Sequence, residues 1–324
     1  MAMFNYKNSV KNFATKKQEI FDHFNNNFKI PERLYIECTN LCNARCSFCY
    51  YKNLADAGFD KKFMSVDTFK EVVNQFLAMG GKHIGLTPTI ADPLTDPYFD
   101  KRLEFINTTN LQAVDFYTNL ISFGPKIQKA IKHCTKKLTI TVSFTGFDRK
   151  QYNKFMGVDK FDIVKKHIIE LRKLLANKKN LSYKVLMRTY ANDKVEKKEF
   201  VTWLKQNKII FRITDEGFDT WGGLLEQQLK EDEQFDGVLR TRYPRVGPCK
   251  ISYAKPVITV NGDLKVCDCR DVFGALVVGN IQNETISEIW NGKKIKELRL
   301  KFFTPELLPE VCQKCEEYKS IYDR

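Results

Sequence analysis

Three cysteines stand close together in the first quarter of the chain. Cys42, Cys46 and Cys49, the first cysteine set, directly follow a β-rich run at residues 33–38, at spacings of four and three. Three soft thiolates on one loop can hold three corners of a four-iron cluster and leave the fourth iron open to a substrate or cofactor. Zinc is the alternative metal, although a structural zinc site needs four ligands. The spacing therefore favours an iron–sulfur cluster with one open iron.

Four more cysteines, the second cysteine set, lie toward the other end of the chain: Cys249, Cys267, Cys312 and Cys315. Asn261-Gly262 is a strong two-residue turn signal, which predicts a hairpin of residues 257–260 with 264–267. That turn brings Cys267 back beside Cys249. A helix over 286–302 can then bring the chain back, so that Cys312 and Cys315 lie near the first two. Four thiolates close a metal site completely, so we expect a second centre that binds no substrate directly. Zinc suits such a closed site as well as iron does.

Composition limits where these thiols can reside. The chain has 324 residues, 43% hydrophobic and 28% charged, which is typical of a folded globular protein. It contains no apolar run of about 18 residues and no secretory signal, which predicts a cytoplasmic protein without a membrane segment. In a reducing compartment the ten cysteines need an explanation other than disulfides, namely metal, redox chemistry or burial. We expect Cys38 and Cys134 to be buried as small hydrophobic residues.

The elements that must position these residues alternate regularly. From residue 31 the chain contains six β-rich runs, and each of the first five is followed by a segment with helical periodicity. This alternation predicts a parallel sheet with helices on its outer face. The strands are near-continuous apolar runs, as expected when both faces are buried. The alternation stops after Phe211, so we predict an α/β fold, a partial (β/α)6 TIM-type barrel with a small C-terminal α+β domain. The expected boundaries are a helical extension over 1–30, the barrel over 31–245 and the C-terminal domain over 246–324. The first cysteine set then lies at the carboxyl end of a barrel strand, where barrel enzymes place their chemistry.

The first cysteine set, with Phe48 and Tyr50 on either side of Cys49, resembles the radical S-adenosylmethionine (SAM) superfamily over roughly residues 31–245. The resemblance implies a [4Fe-4S] cluster whose open iron chelates SAM and cleaves it to methionine and a 5′-deoxyadenosyl radical. That radical takes a hydrogen atom from the substrate, while the protein orients both molecules and excludes water.

The resemblance also implies SAM contacts, one position at a time. The family's Gly-Gly-Glu-Pro stretch is replaced here by residues 87–93, in which Thr89 and Asp92 are the candidates for the SAM amino group. The family's glycines, which provide the usual backbone contacts, are absent from this stretch. The other candidates are Asn119 and Ser143 for the ribose or carboxylate, Arg188 for the SAM carboxylate or an anionic substrate, and Tyr50 for the adenine. A salt bridge at the barrel mouth is the alternative for Arg188, and simple packing is the alternative for Tyr50.

The second cysteine set, with Gly262, Gly279-Asn280-Ile281 and Trp290, resembles the twitch form of the SPASM extension. This resemblance implies one auxiliary [4Fe-4S] cluster, and therefore two [4Fe-4S] clusters in the protein. Cys269 is left over. At alternating strand positions it would point to the same side as Cys267. Several radical SAM epimerases use a free cysteine as a hydrogen-atom donor, and one prediction is that Cys269 does the same. The alternatives are that Cys269 is a spare cluster ligand or that it only packs in the core.

The reaction is predicted less directly than the cofactors. Twitch enzymes with this cysteine spacing include aminoglycoside-pathway dehydrogenases, so we expect dehydrogenation of a polar, sugar-like or other small metabolite. Epimerisation through Cys269, modification of a ribosomally synthesised peptide, and a zinc-stabilised binding protein without activity are the alternatives. Asp215, with Glu216 and Asp219, follows the sixth strand and is a candidate base or substrate ligand, or else caps a turn.

The net charge of +14 bears on partners. Lysine and arginine residues are scattered through helical segments and form no recognised nucleic-acid motif, so we expect no nucleic-acid partner. Many of them belong to solvated helix faces. A basic surface also suits an acidic electron donor of the flavodoxin or ferredoxin type, or an anionic substrate.

Overall fold

Nine strands form a single sheet in the computed structural model, which describes residues 17–188, 194–214, 217–232, 235, 238–242, 245 and 247–322. In chain order the strands are Leu34–Ile36 (β1), His83–Gly85 (β2), Ala113–Thr118 (β3), Lys137–Thr145 (β4), Leu181–Arg188 (β5), Phe211–Thr214 (β6), Val257–Ile258 (β7), Asp263–Lys265 (β8) and Val277–Asn280 (β9).

The strand order is β6-β5-β4-β3-β2-β1-β7-β8-β9. The first six strands pair in parallel with their sequence neighbours, and each is connected to the next through helices. This sequential parallel arrangement arises because each β-rich run is followed by a segment of helical periodicity that covers one face of the sheet. The predicted α/β partial barrel is confirmed.

Helices connect the strands and flank the sheet. They are Lys17–Asn27 (α1), Tyr51–Asp56 (α2), Val66–Ala78 (α3), Phe99–Thr108 (α4), Pro125–Lys132 (α5), Arg149–Met156 (α6), Phe161–Leu175 (α7), Lys194–Gln206 (α8), Glu226–Glu231 (α9), Ile251–Ala254 (α10), Ile286–Asn291 (α11), Lys293–Lys301 (α12) and Glu310–Gln313 (α13). None of these helices is both long enough and apolar enough to cross a membrane.

The barrel strands alternate between an apolar and a polar face. In β4, Leu138, Ile140, Val142 and Phe144 are buried in the core under the helices, while the residues between them are mostly threonine and serine. The expectation that both faces would be buried and apolar is therefore wrong. Only the outer face carries the hydrophobic core, because the helices cover that face alone. The opposite side, the inner face, is polar.

The C-terminal segment is joined to the barrel sheet rather than set apart from it. The predicted hairpin forms, with β7 antiparallel to β8, although both strands are shorter than predicted. β7 in turn pairs in parallel with β1, through Tyr35 with Val257 and Ile36 with Ile258. The strand that precedes the first cysteine set therefore lies directly beside the hairpin that precedes Cys267.

The N-terminal helix α1 packs on the C-terminal segment. The ring of Phe21 lies 6.4 Å from that of Phe303, and Phe24 lies 6.0 Å from Tyr253. The indole of Trp290 donates a hydrogen bond to the Phe28 carbonyl oxygen at 2.8 Å. The predicted N-terminal helix is confirmed from residue 17 onward, and its first part lies outside the described residues.

Candidate active site

The first cysteine set lies on the loop after β1, at the carboxyl end of the parallel strands. Two backbone hydrogen bonds hold this loop against the end of α6. The Arg45 amide donates to the Met156 carbonyl oxygen and the Ser47 amide donates to that of Phe155, both at 3.0 Å. α6 was not among the predicted helices, although Asp148 is an N-cap residue whose carboxylate accepts from the Gln151 amide at 2.7 Å. A short helix that begins at an aspartate is the signal that was missed.

Gly157 allows the loop and α6 to approach each other. It ends α6 with a φ of 66°, in the left-handed region that favours glycine. A Cβ atom at this position would lie 2.2 Å from the Arg45 carbonyl oxygen. Both the backbone conformation and the close contact therefore require glycine.

The three thiols of the first set lie close enough for their charges to act on one another. Burial raises the pKa of Cys42 to about 12 and that of Cys49 to about 11. Burial also raises the pKa of Cys46, and the charges of Cys49 and Cys42 add to the increase. Three converging thiolates are unfavourable unless a cation neutralises them, and an iron–sulfur cluster supplies that positive charge.

Two further side chains border these thiols. Met156 places its sulfur 3.8 Å from that of Cys46. The Tyr152 hydroxyl, one helical turn earlier on α6, is buried and has no hydrogen-bond partner among the described residues. Burial raises the pKa of Tyr152, and the charges of Cys46 and Cys42 add to the increase. A buried donor without a partner beside three cysteines fits a group that accepts hydrogen bonds, such as a sulfide of a cluster. The first set therefore fits a bound iron–sulfur cluster.

Asp92 is buried and its carboxylate is occupied by the protein. It accepts hydrogen bonds from the Leu94 amide at 2.9 Å, the Thr118 hydroxyl at 3.0 Å and the Asn119 amide at 2.6 Å. Burial raises the pKa of Asp92 to about 6, although these hydrogen bonds lower it. Asp92 thus joins the loop after β2 to the end of β3.

Asn119 lies directly beside the first set. Its side-chain amide donates to the Cys42 sulfur at 3.6 Å and to the Asn43 side-chain oxygen at 2.8 Å. Ser143 lies on the inner face of β4, and Thr89 lies beside the end of β1, where its hydroxyl donates to Glu37 at 3.4 Å. The structure therefore places these three predicted positions at the carboxyl end of the sheet, around the cysteine loop.

Arg188, at the end of β5, is held between two aromatic rings. Its guanidinium carbon lies 5.4 Å from the centre of the Phe48 ring and 5.1 Å from that of Phe218. Burial lowers the pKa of Arg188, although the charge of Asp219 raises it. No salt bridge to Arg188 is found among the described residues, so the alternative of a barrel-mouth ion pair has no support there. Within the part of the chain that the structure describes, no carboxylate forms an ion pair with this guanidinium.

Tyr50 lies where the cysteine loop meets the C-terminal segment. The centre of its ring lies 5.5 Å from that of Phe273, with the two rings edge to face. Tyr50 also packs against the buried hydrophobic side chains of Trp221 and Leu225. Phe273 is itself 65% exposed. Tyr50 therefore has a packing partner on one side, and the neighbouring rim is open.

The second cysteine set converges from three segments of the chain. All four of its cysteines line one pocket, together with Cys269 and Arg270. Burial raises the pKa of Cys315 to about 12 and raises that of Cys312 further, with the charges of the other cysteines adding to both. As in the first set, converging buried thiolates fit a bound cluster. Cys38 and Cys134 are buried in the core, as predicted.

Cys269 lies close to Cys267, but for a different reason from the predicted one. β8 ends at Lys265, so the two cysteines lie in a bend and not at alternating strand positions. The bend brings the two sulfurs and a carboxylate oxygen of Asp268 within 4.8 Å of one another. The Cys269 thiol lies 3.1 Å from that oxygen, and a hydrogen bond from Cys269 lowers the pKa of Cys267.

Arg270 links the surroundings of the two cysteine sets. It forms a bidentate ion pair with Asp219, at 2.6 and 2.7 Å, and reaches Glu317 at 3.2 Å. It also lies over Trp221, whose indole donates to the Phe48 carbonyl oxygen at 2.9 Å. The sequence carried only one hint of this role, the position of Arg270 next to the Cys267-Asp268-Cys269 run.

Asp219 does not have the properties of a base. Burial alone would raise its pKa, but Arg270 lowers it to about 2. A carboxylate with such a low pKa is a poor proton acceptor near neutral pH. Asp215 and Glu216 lie outside the described residues.

The inner face of β3, β4 and β5 is polar. Asp115, Tyr117, Thr139, Thr141 and Lys184 occupy neighbouring inner-face positions of β3, β4 and β5. Tyr117 is 41% exposed. Burial raises the pKa of Asp115 to about 6, although Arg33 and Lys255 lower it. This surface can bind a polar molecule, and Asp115 is a functional candidate that the sequence analysis missed because it assigned β3 two apolar faces.

Two family models match the chain. The model of the radical SAM superfamily matches residues 36–197, and the SPASM model, an iron–sulfur cluster-binding domain, matches residues 249–316. The first contains the first cysteine set and the second contains all four cysteines of the second set.

Individual proteins are similar at low identity. A GTP 3′,8-cyclase of Mannheimia succiniciproducens is 24% identical over 256 residues, which are 75% of this chain and 71% of the cyclase. The chain spans between 43% and 58% of further bacterial proteins of that name.

Two solved structures have a similar fold. BtrN in complex with AdoMet and 2-DOIA has a TM-score of 0.58 and 17% identity, over 91% of this chain and 96% of BtrN. Streptococcus suis SuiB bound to precursor peptide SuiA has a TM-score of 0.63 and 16% identity, over 97% of this chain and 76% of SuiB. At these identities the similarity concerns the fold.

Proposed function

Because this chain belongs to the radical SAM superfamily and carries a SPASM-type iron–sulfur domain, we propose that it dehydrogenates a polar small molecule held on the inner face of its partial barrel. The cofactors of this combination of domains are [4Fe-4S] clusters and SAM. Together they supply a radical that removes a hydrogen atom from a substrate C–H bond. The chain itself must hold these groups, bind the substrate beside them and exclude water.

The first cysteine set would hold the cluster with the open iron, and the second set would hold the auxiliary cluster. Arg188 would bind the SAM carboxylate, because its guanidinium lies beside the first set and has no carboxylate in salt-bridge contact among the described residues. Asn119 and Ser143 would bind the ribose or carboxylate, and Tyr50 would contact the adenine. Asp92 would act mainly through the backbone that it fixes, since the protein already supplies hydrogen bonds to its carboxylate.

The polar inner face is the observation that carries the proposed substrate class. A barrel interior filled for stability alone is lined by branched apolar side chains. Here Asp115, Tyr117, Thr141 and Lys184 line it instead. Such a surface offers hydrogen bonds to hydroxyl and amino groups, as a sugar-like molecule requires.

Dehydrogenation of an alcohol to a ketone removes one hydrogen atom, one proton and one electron. We assign the proton to Asp115, whose pKa of about 6 suits a base that works near neutral pH. Asp215 remains a second candidate base. The second cysteine set would hold the auxiliary cluster, which would supply an electron acceptor there, and its four cysteines leave no open position for substrate.

Epimerisation is the second candidate reaction. It is favoured by the position of the Cys269 thiol, which lies 3.1 Å from a carboxylate oxygen of Asp268. Burial raises the pKa values of the inner-face residues Tyr35 and Asp115, and the charge of Asp268 adds to both increases, so Asp268 lies near that face. Cys269 is therefore close to inner-face residues and could return a hydrogen atom to the opposite face of a substrate. The substrate would be neither oxidised nor reduced overall, so no electron acceptor would be needed. Donation of the hydrogen atom would leave a thiyl radical on Cys269, and one electron from the external donor and one proton would restore the thiol.

Relatives suggest two other substrate classes. SuiB was solved with a precursor peptide, and the GTP 3′,8-cyclases are named for a nucleotide. The inner-face cations Lys184 and Arg188 would suit the phosphates of a nucleotide. For reduction of the first cluster we propose an acidic flavodoxin or ferredoxin, attracted by the net charge of +14.

The proposal is tested with anaerobically reconstituted protein, SAM and a chemical reductant. Formation of 5′-deoxyadenosine is expected, and it should be lost in a Cys42→Ala variant. Candidate sugars, aminosugars, nucleotides and peptides are then incubated in deuterated buffer and analysed by mass spectrometry. A product two mass units lighter supports dehydrogenation, whereas deuterium at the reacting carbon, lost in Cys269→Ala, supports epimerisation. Absence of 5′-deoxyadenosine from a protein with both clusters assembled would refute both reactions.

A further inference from the structure

Lys265 is a buried lysine at the junction of the barrel and the C-terminal segment. It lies on β8 and is 3% exposed. Its ammonium group donates to the Thr89 hydroxyl at 2.7 Å and to the Asp271 carbonyl oxygen at 3.0 Å, and it lies 3.7 Å from a carboxylate oxygen of Glu37. The ammonium group thus makes two hydrogen bonds and one ion pair within the protein. The side chain therefore connects parts of the protein.

Each of these acceptors belongs to a different part of the site. Glu37 follows β1 and precedes the first cysteine set, Thr89 lies in the loop after β2, and Asp271 follows Cys267 of the second set. Asp271 is buried, and its carboxylate accepts from the Ala275 and Leu276 amides at 2.8 and 2.9 Å. Lys265 thus joins both cofactor regions to the loop after β2.

The Thr89 hydroxyl is engaged on both sides. It accepts from Lys265 and donates to Glu37 at 3.4 Å. Any contact that this segment makes with SAM must then come mainly from its backbone. Peptide groups cannot adjust their position as side chains do. A binding site made of backbone groups without glycines therefore depends on the segment being held at the correct distance from its ligand.

We propose that Lys265 is a positioning residue, supplied by the C-terminal segment, that fixes residues 87–92 for binding the amino-acid portion of SAM. The inference rests on the proposed function, since it names SAM as the ligand of this segment. It adds a role for the C-terminal segment that is separate from holding the auxiliary cluster. Lys265 acts on SAM only through Thr89 and the backbone around it.

The test compares Lys265→Met with Lys265→Arg in the reconstituted full chain. The methionine keeps the length and removes the donors, so SAM should bind about 10- to 100-fold more weakly, as expected when a buried charged hydrogen-bond donor is lost. Both clusters should still assemble, as measured by iron and sulfide content. The arginine variant should recover part of the affinity, because it restores donors at this position.

Lys62→Met is the matched control. Lys62 also bonds to the hairpin, through Asn261 at 3.2 Å, but at its exposed turn. The Lys62→Met variant should bind SAM with the same affinity as the unmodified protein. Thr89→Val removes the same hydrogen bond from the other side with little change in volume, and it should reproduce the loss seen in Lys265→Met. If Lys265→Met fails to fold, the valine variant decides, and normal SAM affinity in that variant overturns the proposal.

Hydrogen exchange of the chain without cofactors provides a readout that does not depend on SAM. Peptides covering residues 86–93 should exchange faster in Lys265→Met and Thr89→Val than in Lys62→Met. Unchanged exchange together with unchanged SAM affinity would overturn the inference. If the unmodified protein binds no SAM, the proposed function fails, and the exchange rates alone then show whether Lys265 fixes this loop.

Discussion

Arg188 is a cation close enough to the first cysteine set for its charge to act on Cys46, and it has no salt bridge among the described residues. Phe48 and Phe218 lie on either side of its guanidinium. A guanidinium held between two rings is oriented before a ligand arrives, so little side-chain entropy is lost when an anion binds.

Replacing Arg188 by methionine should therefore weaken SAM binding by about 10- to 100-fold, because a charge-assisted hydrogen bond to a carboxylate is lost. Equilibrium dialysis with the reconstituted protein measures the change. Cluster content should remain the same. Arg149→Met, at an exposed arginine paired with Asp159, is the control and should bind SAM normally. Equal affinity in both variants would remove Arg188 from the SAM site.

The proposed role of Asp115 as the base predicts a pH dependence. Its pKa is raised to about 6, so the carboxylate is protonated below that pH and cannot accept a proton there. Turnover should rise with pH through about 6 in the unmodified enzyme. Asp115→Asn should lower kcat by about 100-fold or more and remove this limb from the pH profile. If turnover keeps the same limb near pH 6 in the asparagine variant, another group is the base.

At the scale of elements, the cysteine loop depends on the short helix α6. The loop has little regular structure of its own, and it takes its position from the carbonyl groups at the end of α6. Gly157 makes that approach possible. The cysteine loop and α6 therefore form one unit, although the residues that bond to each other lie more than 100 positions apart in the sequence.

Gly157→Ala should displace the loop, since the new Cβ atom would lie 2.2 Å from the Arg45 carbonyl oxygen and the φ of 66° is strained for alanine. We expect loss of the first cluster and retention of the second, so that iron content falls to about half. Gly58→Ala is the control, because Gly58 also has a positive φ, of 76°, but has no atom within 4 Å of the added Cβ. Normal iron content in Gly157→Ala would show that the loop does not need this contact.

At the scale of the whole molecule, the barrel and the C-terminal segment share one sheet. β7 pairs with β1, and α1 packs on residues near both ends of the C-terminal segment. Trp290 is completely buried and bonds to the Phe28 carbonyl oxygen, so it connects the two ends of the chain. Such an arrangement should unfold as one cooperative unit.

Trp290→Ala should therefore destabilise the entire protein by about 3–5 kcal/mol, as expected for a large buried aromatic residue. Thermal unfolding followed by circular dichroism should show a single transition at lower temperature. Leu307→Ala, at a leucine that is 61% exposed, should leave the transition unchanged. Two separate transitions in Trp290→Ala would mean that the barrel and the C-terminal segment unfold independently.

Residue types and short spacings were sufficient for much of this protein. The two cysteine sets, the hairpin at Asn261-Gly262 and the order of the parallel strands are local features, because each depends on residues within a few positions or on a repeating period. Buried Cys38 and Cys134 were predicted for the same reason. The family models match the segments in which those local patterns lie.

Only the tertiary structure decided which distant residues meet. Lys265 reaches Thr89 across 176 positions, Arg270 reaches Asp219, and β7 pairs with β1, which places the C-terminal hairpin in the same sheet as the barrel strands. It also decided that the inner face of the barrel is polar, and that the carboxylate of Asp92 is occupied by the protein. The physical reason is that such contacts depend on how the strands register and which face the helices cover. Those are properties of the assembled sheet, and no short window of sequence contains them.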